Sequence, residues 1–133
     1  KGNNFYSVSP DTMVIDALRT MADKNIGAVL VIENNQLKGI FSERDYARKV
    51  VLLGKASSNT KVSEVMSKDV ITVSKETSVY DCMKIMTNKF VRHLPVIEND
   101  NLIGVVSIGD IVSKIIRDQQ SMIDQLQNYI LGG

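Results

Sequence analysis

The sequence predicts a mixed α/β fold: two tandem β-α-β-β-α repeats packed about a pseudo-twofold axis, followed by an amphipathic C-terminal helix. Three observations predict it. The chain matches itself without a gap at an offset of 65, with 16 identities over the 44 positions that align residues 7–50 with 72–115. Hydrophobic periodicity changes in the same order in both copies, as duplicated supersecondary units require. The composition, 44% hydrophobic and 23% charged over 133 residues, suits a soluble globular chain with a well-formed core.

Each copy opens on a short strand, residues 7–8 and 70–73, that runs into a polar turn. A helix follows, with Thr12 and Thr77 placed where an N-cap is wanted. Its apolar face is Val14, Ala17, Leu18 and Met21 in the first copy and Val79, Cys82, Met83 and Met86 in the second. A hairpin comes next: residues 28–33 turn through Asn34, Asn35 and Gln36 into 37–41, and residues 94–98 turn through 99–101 into 102–106. A second helix closes the unit. Residues 1–54 and 69–117 thus form the repeats, 55–68 a linker with a helical turn at 62–66, and 118–133 the tail. One apolar sheet face per unit needs a cover, so the copies are expected to pack face to face with clefts between them.

Composition removes several functional classes. Sixteen Lys and Arg against fifteen Asp and Glu leave a net charge of +1, so no global field draws the chain to nucleic acid or an anionic membrane. Arg44, Arg48, Lys49 and Lys55 form a small basic cluster without interleaved aromatics, and nucleic acid is not expected as a partner. A single cysteine excludes an intrachain disulfide framework and a Cys-rich zinc site and points to the cytoplasm. No apolar run reaches the roughly 20 residues of a membrane span. The chain begins at Lys1, which leaves a preceding targeting segment open.

Two stretches, Gly39-Ile-Phe-Ser-Glu-Arg-Asp45 and Gly104-Val-Val-Ser-Ile-Gly-Asp110, in this order of elements resemble the CBS-domain family, whose tandem pairs are called Bateman modules. The likeness covers about residues 6–117. Leu94-Pro-Val-Ile97 resembles the family's second-strand pattern, and Ser42-Glu-Arg-Asp-Tyr-Ala-Arg-Lys49 is similar to the stand-alone two-repeat proteins of bacteria and plant organelles. The resemblance implies AMP, ATP, NAD or S-adenosylmethionine in the clefts, regulation of a partner, and a flat homodimer.

The pairs Ser42 with Asp45 and Ser107 with Asp110 have two readings. Each is what a plain helix start looks like, a hydroxyl capping an amide and an acid at the positive end of the dipole. Each also resembles the family's ribose site, where a carboxylate accepts from both ribose hydroxyls and the serine serves sugar or phosphate. Recurrence at one offset behind a Gly-led strand favours the second. Adenine would lie in an aliphatic slot bounded by Thr72, Leu94, Pro95 and Val106, held by backbone groups. Phosphate donors are Arg44, Arg48 and Lys49 in the first copy and Arg92 and His93 in the second. Arg44 aligns with Gly109, and Arg92 and His93 align with Gly27 and Ala28. Unequal affinities are therefore expected, the tighter on the Asp110 side.

His93, the one histidine, reads as a hydrogen-bonding residue and not a metal ligand, and Cys82 as an inert core thiol. No nucleophile, base and orienting group can be assembled, so no enzyme activity, catalytic residue or required cofactor is expected. In the tail, Ile115, Ile116, Met122, Ile123, Leu126 and Ile130 recur at helical spacing opposite Lys114, Arg117, Asp118 and Asp124, a face that either covers its own domain or, since both sheets already have helices, meets a subunit or partner. The expectation is a regulatory module that senses AMP, ADP, ATP or NAD(H) and acts on an unidentified protein target. The alternative is a constitutive interaction module with empty clefts.

Overall fold

The computed structural model describes residues 5–130. The first four and last three residues, which belong to the predicted first repeat and tail, lie outside the described residues. The chain divides into two compact units between Ile71 and Thr72.

In the first unit, β1 (Ser7–Val8) lies parallel to β2 (Ala28–Glu33), which pairs antiparallel with β3 (Gln36–Ser42), giving the order β1-β2-β3. Helix α1 (Val14–Lys24) joins β1 to β2, and α2 (Glu43–Tyr46) follows β3 and runs into a π-helical turn, Ala47–Val51. The second unit repeats the plan with α4 (Val79–Lys89), β4 (His93–Glu98), β5 (Asn101–Ser107) and α5 (Ile108–Ile130). A bulge interrupts both hairpins at equivalent places, between Val31 and Ile32 and between Val96 and Ile97.

The hairpin turns are two residues long, one fewer than predicted. Asn34 and Asn35 take φ 53° and 62°, and Asn99 and Asp100 take φ 52° and 65°. Asn and Asp enter this left-handed region at low cost, and two such residues make the tight turn whose twist matches a strand pair. Gln36 and Asn101 are thereby released into the strands.

Three further predictions are corrected. Residues 70–73 do not form a strand; only Val73 bridges Val96, its N–H donating to the Pro95 carbonyl at 3.0 Å while Ile97 N–H donates to its carbonyl at 2.8 Å. Thr12 and Thr77 do not cap helices. Each hydroxyl accepts from an earlier amide, Ser9 N–H and Ser74 N–H, both at 3.2 Å, and so closes the polar turn. The N-caps stand one residue on, at Met13 and Ser78. Ser78 accepts from Asp81 N–H at 3.0 Å. Met13 has no such group, and Val14 N–H is satisfied by the Thr60 carbonyl at 2.8 Å. Finally, the predicted C-terminal helix is present but does not begin near residue 118: it continues the second helix of the repeat, α5 running unbroken from Ile108 to Ile130.

That Thr60 contact shows what the segment between the repeats does. Its short helix α3 (Val62–Val65) places Val62 and Val65 in the buried core of the first unit, with Val14, Ala17, Val31 and Phe41. Backbone bridges from Lys61 to Met13 and from Ser67 to Ile40 fix it to α1 and β3. Gly39 permits the second bridge, because a Cβ there would stand 2.7 Å from the Ser67 carbonyl. In the second unit Val73, Cys82, Met86, Leu94, Val96 and Ile111 are buried. No helix among the described residues is long and apolar enough to cross a membrane.

Candidate functional site

Both Ser-x-x-Asp pairs stand where a strand ends and a helix begins, and both are reciprocal caps. In the first unit Asp45 N–H donates to Ser42 Oγ at 3.1 Å, and Ser42 N–H donates back to Asp45 Oδ2 at 3.0 Å. The second unit repeats this, Asp110 N–H to Ser107 Oγ at 3.1 Å and Ser107 N–H to Asp110 Oδ2 at 3.0 Å. The helix-start reading is thus met at both places.

Beyond the cap the two carboxylates differ. Asp45 is buried, 7% exposed. Its Oδ2 also accepts from the Ser42 hydroxyl at 3.1 Å, while its Oδ1 accepts from Ser67 Oγ at 3.0 Å and pairs with Lys49 Nζ at 3.2 Å. Both oxygens are engaged. Asp110 is exposed, and its Oδ1 takes no hydrogen bond from the described residues. The cap holds this exposed carboxylate in place through Oδ2 alone.

Around Asp110 the second unit gathers the predicted residues of its copy. The ladder sets His93 opposite Ser107, Leu94 opposite Val106 and Pro95 opposite Val105. Ile108 N–H, in the first turn of α5, donates to the Arg92 carbonyl at 2.9 Å, which brings Arg92 to the same end of the sheet. Arg92 is exposed and His93 and Ser107 are half-buried. Thr72 is exposed just ahead of Val73, along the outer edge of β4. Leu94 and Pro95 are fully buried, and the Pro95 carbonyl is already taken by Val73, so they offer shape and little hydrogen bonding.

The first unit keeps Ser42, Arg44, Asp45 and Arg48 within one helical stretch, with Arg44 and Arg48 exposed. Lys49, counted as a phosphate donor from sequence, is paired with Asp45 instead. Ser67 was not singled out, because nothing in a Ser beside a predicted loop signals a partner 22 residues earlier.

Elsewhere, Cys82 is buried on α4, and burial foremost, with Asp81 nearby, pushes its thiol up from the ordinary value of 9.0. A raised thiol is a poor nucleophile at neutral pH. Among the described residues no group of three or more His, Cys, Asp and Glu is arranged to hold a metal ion.

The CBS-domain family profile matches residues 3–52 and 62–117. The mitochondrial CBS domain-containing protein CBSX3 of Arabidopsis thaliana is 41% identical over 99% of this chain, which spans 66% of that protein. YhcV of Bacillus subtilis is 34% identical over 79% of this chain and 74% of its own. Among solved structures, a CBS-domain protein of Burkholderia ambifaria superposes with a TM-score of 0.86 at 46% identity, covering 89% of this chain and 87% of that one. One from Agrobacterium tumefaciens gives 0.80 at 38%, covering 84% and 89%. With two matched stretches, duplicated caps and relatives of this similarity, the chain belongs to the CBS-domain family and carries two tandem copies of the domain.

Proposed function

We propose that this CBS-domain pair is a ligand-sensing regulatory module that binds an adenine-containing nucleotide, AMP, ADP, ATP or NAD(H), with its tighter site at Asp110. The observation that carries the reading is the open Oδ1 of Asp110, beside Ser107, His93 and Arg92. A carboxylate fixed by one oxygen and open at the other is pre-organised to accept from ribose hydroxyls, and a guanidinium at the same sheet end suits phosphate. Asp45 would have to surrender Ser67 or Lys49 to do the same, which supports a tighter site at Asp110.

The nucleotide is a regulatory ligand with no catalytic step attached to it. A ligand that binds two arrangements of the module unequally biases contact with a protein target. Self-association belongs to the same reading and draws support from CBS-CP12 of bloom-forming cyanobacteria, described as hexameric, which is 27% identical with a TM-score of 0.76. Cytoplasmic residence is proposed with it.

A second reading is a constitutive interaction module, favoured by the long exposed α5. Thermal unfolding with AMP, ADP, ATP, NAD, NADH, S-adenosylmethionine and UMP separates the two. A ligand of the folded state stabilises it by RT ln(1 + [L]/Kd), about 2.7 kcal/mol at a hundred times Kd, a midpoint shift of several degrees. A shift confined to adenine compounds is expected. No shift with any of them at millimolar concentration favours the interaction module.

A further inference from the structure

We infer that the distal part of α5 is a parallel two-stranded coiled-coil seam that pairs with the same helix of a second copy, which deepens the self-association proposed above by naming its surface. In α5 only Ile111 is buried, and every residue from Ile116 to Ile130 is exposed. A helical stretch of that length without tertiary packing is marginal in water. Yet six positions spaced alternately by four and three, Val112, Ile116, Gln119, Ile123, Leu126 and Ile130, are apolar at every one but Gln119. This is a heptad seam, with Ile at each a position and Val, Gln and Leu at d; β-branched a residues with Leu at d favour two parallel strands, a pattern that Ile123, Leu126 and Ile130 follow.

Gln119 decides the occupant and the direction. In a parallel pair of identical helices the two Gln119 amides meet each other and can exchange a hydrogen bond, giving one satisfied polar layer. An antiparallel pair layers d against a, so each Gln119 would face an isoleucine and leave two amides without partners in an apolar seam. A different partner would have to bring its own amide to this layer; a second copy supplies it by symmetry.

Charge and area agree. Lys114, Arg117, Asp118 and Asp124 all fall outside the seam and the positions that flank it. Lys114 and Asp118 pair with each other at 3.1 Å on the outward side, and Gln120, which flanks the seam, donates to Asp124 beyond it at 3.0 Å. Identical helices therefore meet without like charges in contact. Met122 and Tyr129, 63% and 84% exposed, widen the apolar stripe. At roughly 60–120 Å² of apolar surface per side chain, the partly exposed stripe can bury on the order of 500 Å² per copy, about 1,000 Å² in the pair. That reaches the size at which specific interfaces begin.

The experiment is sedimentation equilibrium of the full chain and of Ile123→Lys, with thermal unfolding as the check on folding, since Ile123 is 47% exposed and outside the core. A concentration-dependent wild-type dimer is expected, weakened roughly a hundredfold or more in Ile123→Lys while cooperative unfolding persists. Under oxidation, Gln119→Cys with Cys82→Ala should cross-link to itself. A wild-type dimer untouched by Ile123→Lys overturns the seam and leaves self-association standing through another face. A wild-type monomer at all concentrations overturns both, and failure of Gln119→Cys to cross-link within a dimer overturns the parallel arrangement.

Discussion

The Ser67 hydroxyl donates to Asp45 Oδ1 at 3.0 Å, tying the segment between the repeats to the helix start of the first. The same carboxylate caps α2 and pairs with Lys49, so an aspartate that caps a helix in both copies carries a tether and an ion pair besides in the first.

Asp45→Ala therefore removes a cap and strands the Ser67 hydroxyl. A loss of about 2–4 kcal/mol of folding stability is expected, against about 0.5–1 kcal/mol for Asp110→Ala, whose cap is exposed. Urea unfolding of the two variants checks this, and equal losses would deny Asp45 its tethering role.

Gly39→Ala should act on the same tether from the other side. The new methyl would meet the Ser67 carbonyl, backbone that is bonded to Ile40 N–H at 3.0 Å and cannot turn aside. Displacement of this bridge should cost about 1–3 kcal/mol, read from the denaturant midpoint.

Cys82 gives a pH dependence. Its folded thiol is raised by burial, so with rising pH the unfolded chain releases this proton first. The contribution is complete below the ordinary thiol value of 9.0 and is lost as pH climbs through the folded one. Stability should fall more steeply above about pH 9 in the wild type than in Cys82→Ala, and thiol reagents should react with the native protein only as fast as it opens.

The repeat was legible because side chains that face a core recur at fixed spacing, Met21 and Met86, Val31 and Val96. Asn34 and Asn35 announced their turn for the same local reason. What escaped was decided by distant backbone. Met13 can stand at an N-cap because the Thr60 carbonyl takes the first amide of α1, and no pattern near Met13 says so. Val62 and Val65 read as a stray helical turn, yet they complete the first unit's core. At the candidate site, sequence told the two copies apart only by the residues around the carboxylates, Arg44 against Gly109 and Arg92 and His93 against Gly27 and Ala28; the burial of Asp45 and its bond from Ser67, 22 residues on, leave no local pattern.

The most direct test of the central claim is calorimetric titration of AMP, ATP and UMP into the wild-type chain and Asp110→Ala. Binding of an adenine nucleotide but not UMP is expected, weakened about ten- to a hundredfold by loss of the charged acceptor. An Asp110→Ala affinity equal to wild type, or a wild-type chain that takes up no adenine nucleotide at millimolar concentration, would contradict it.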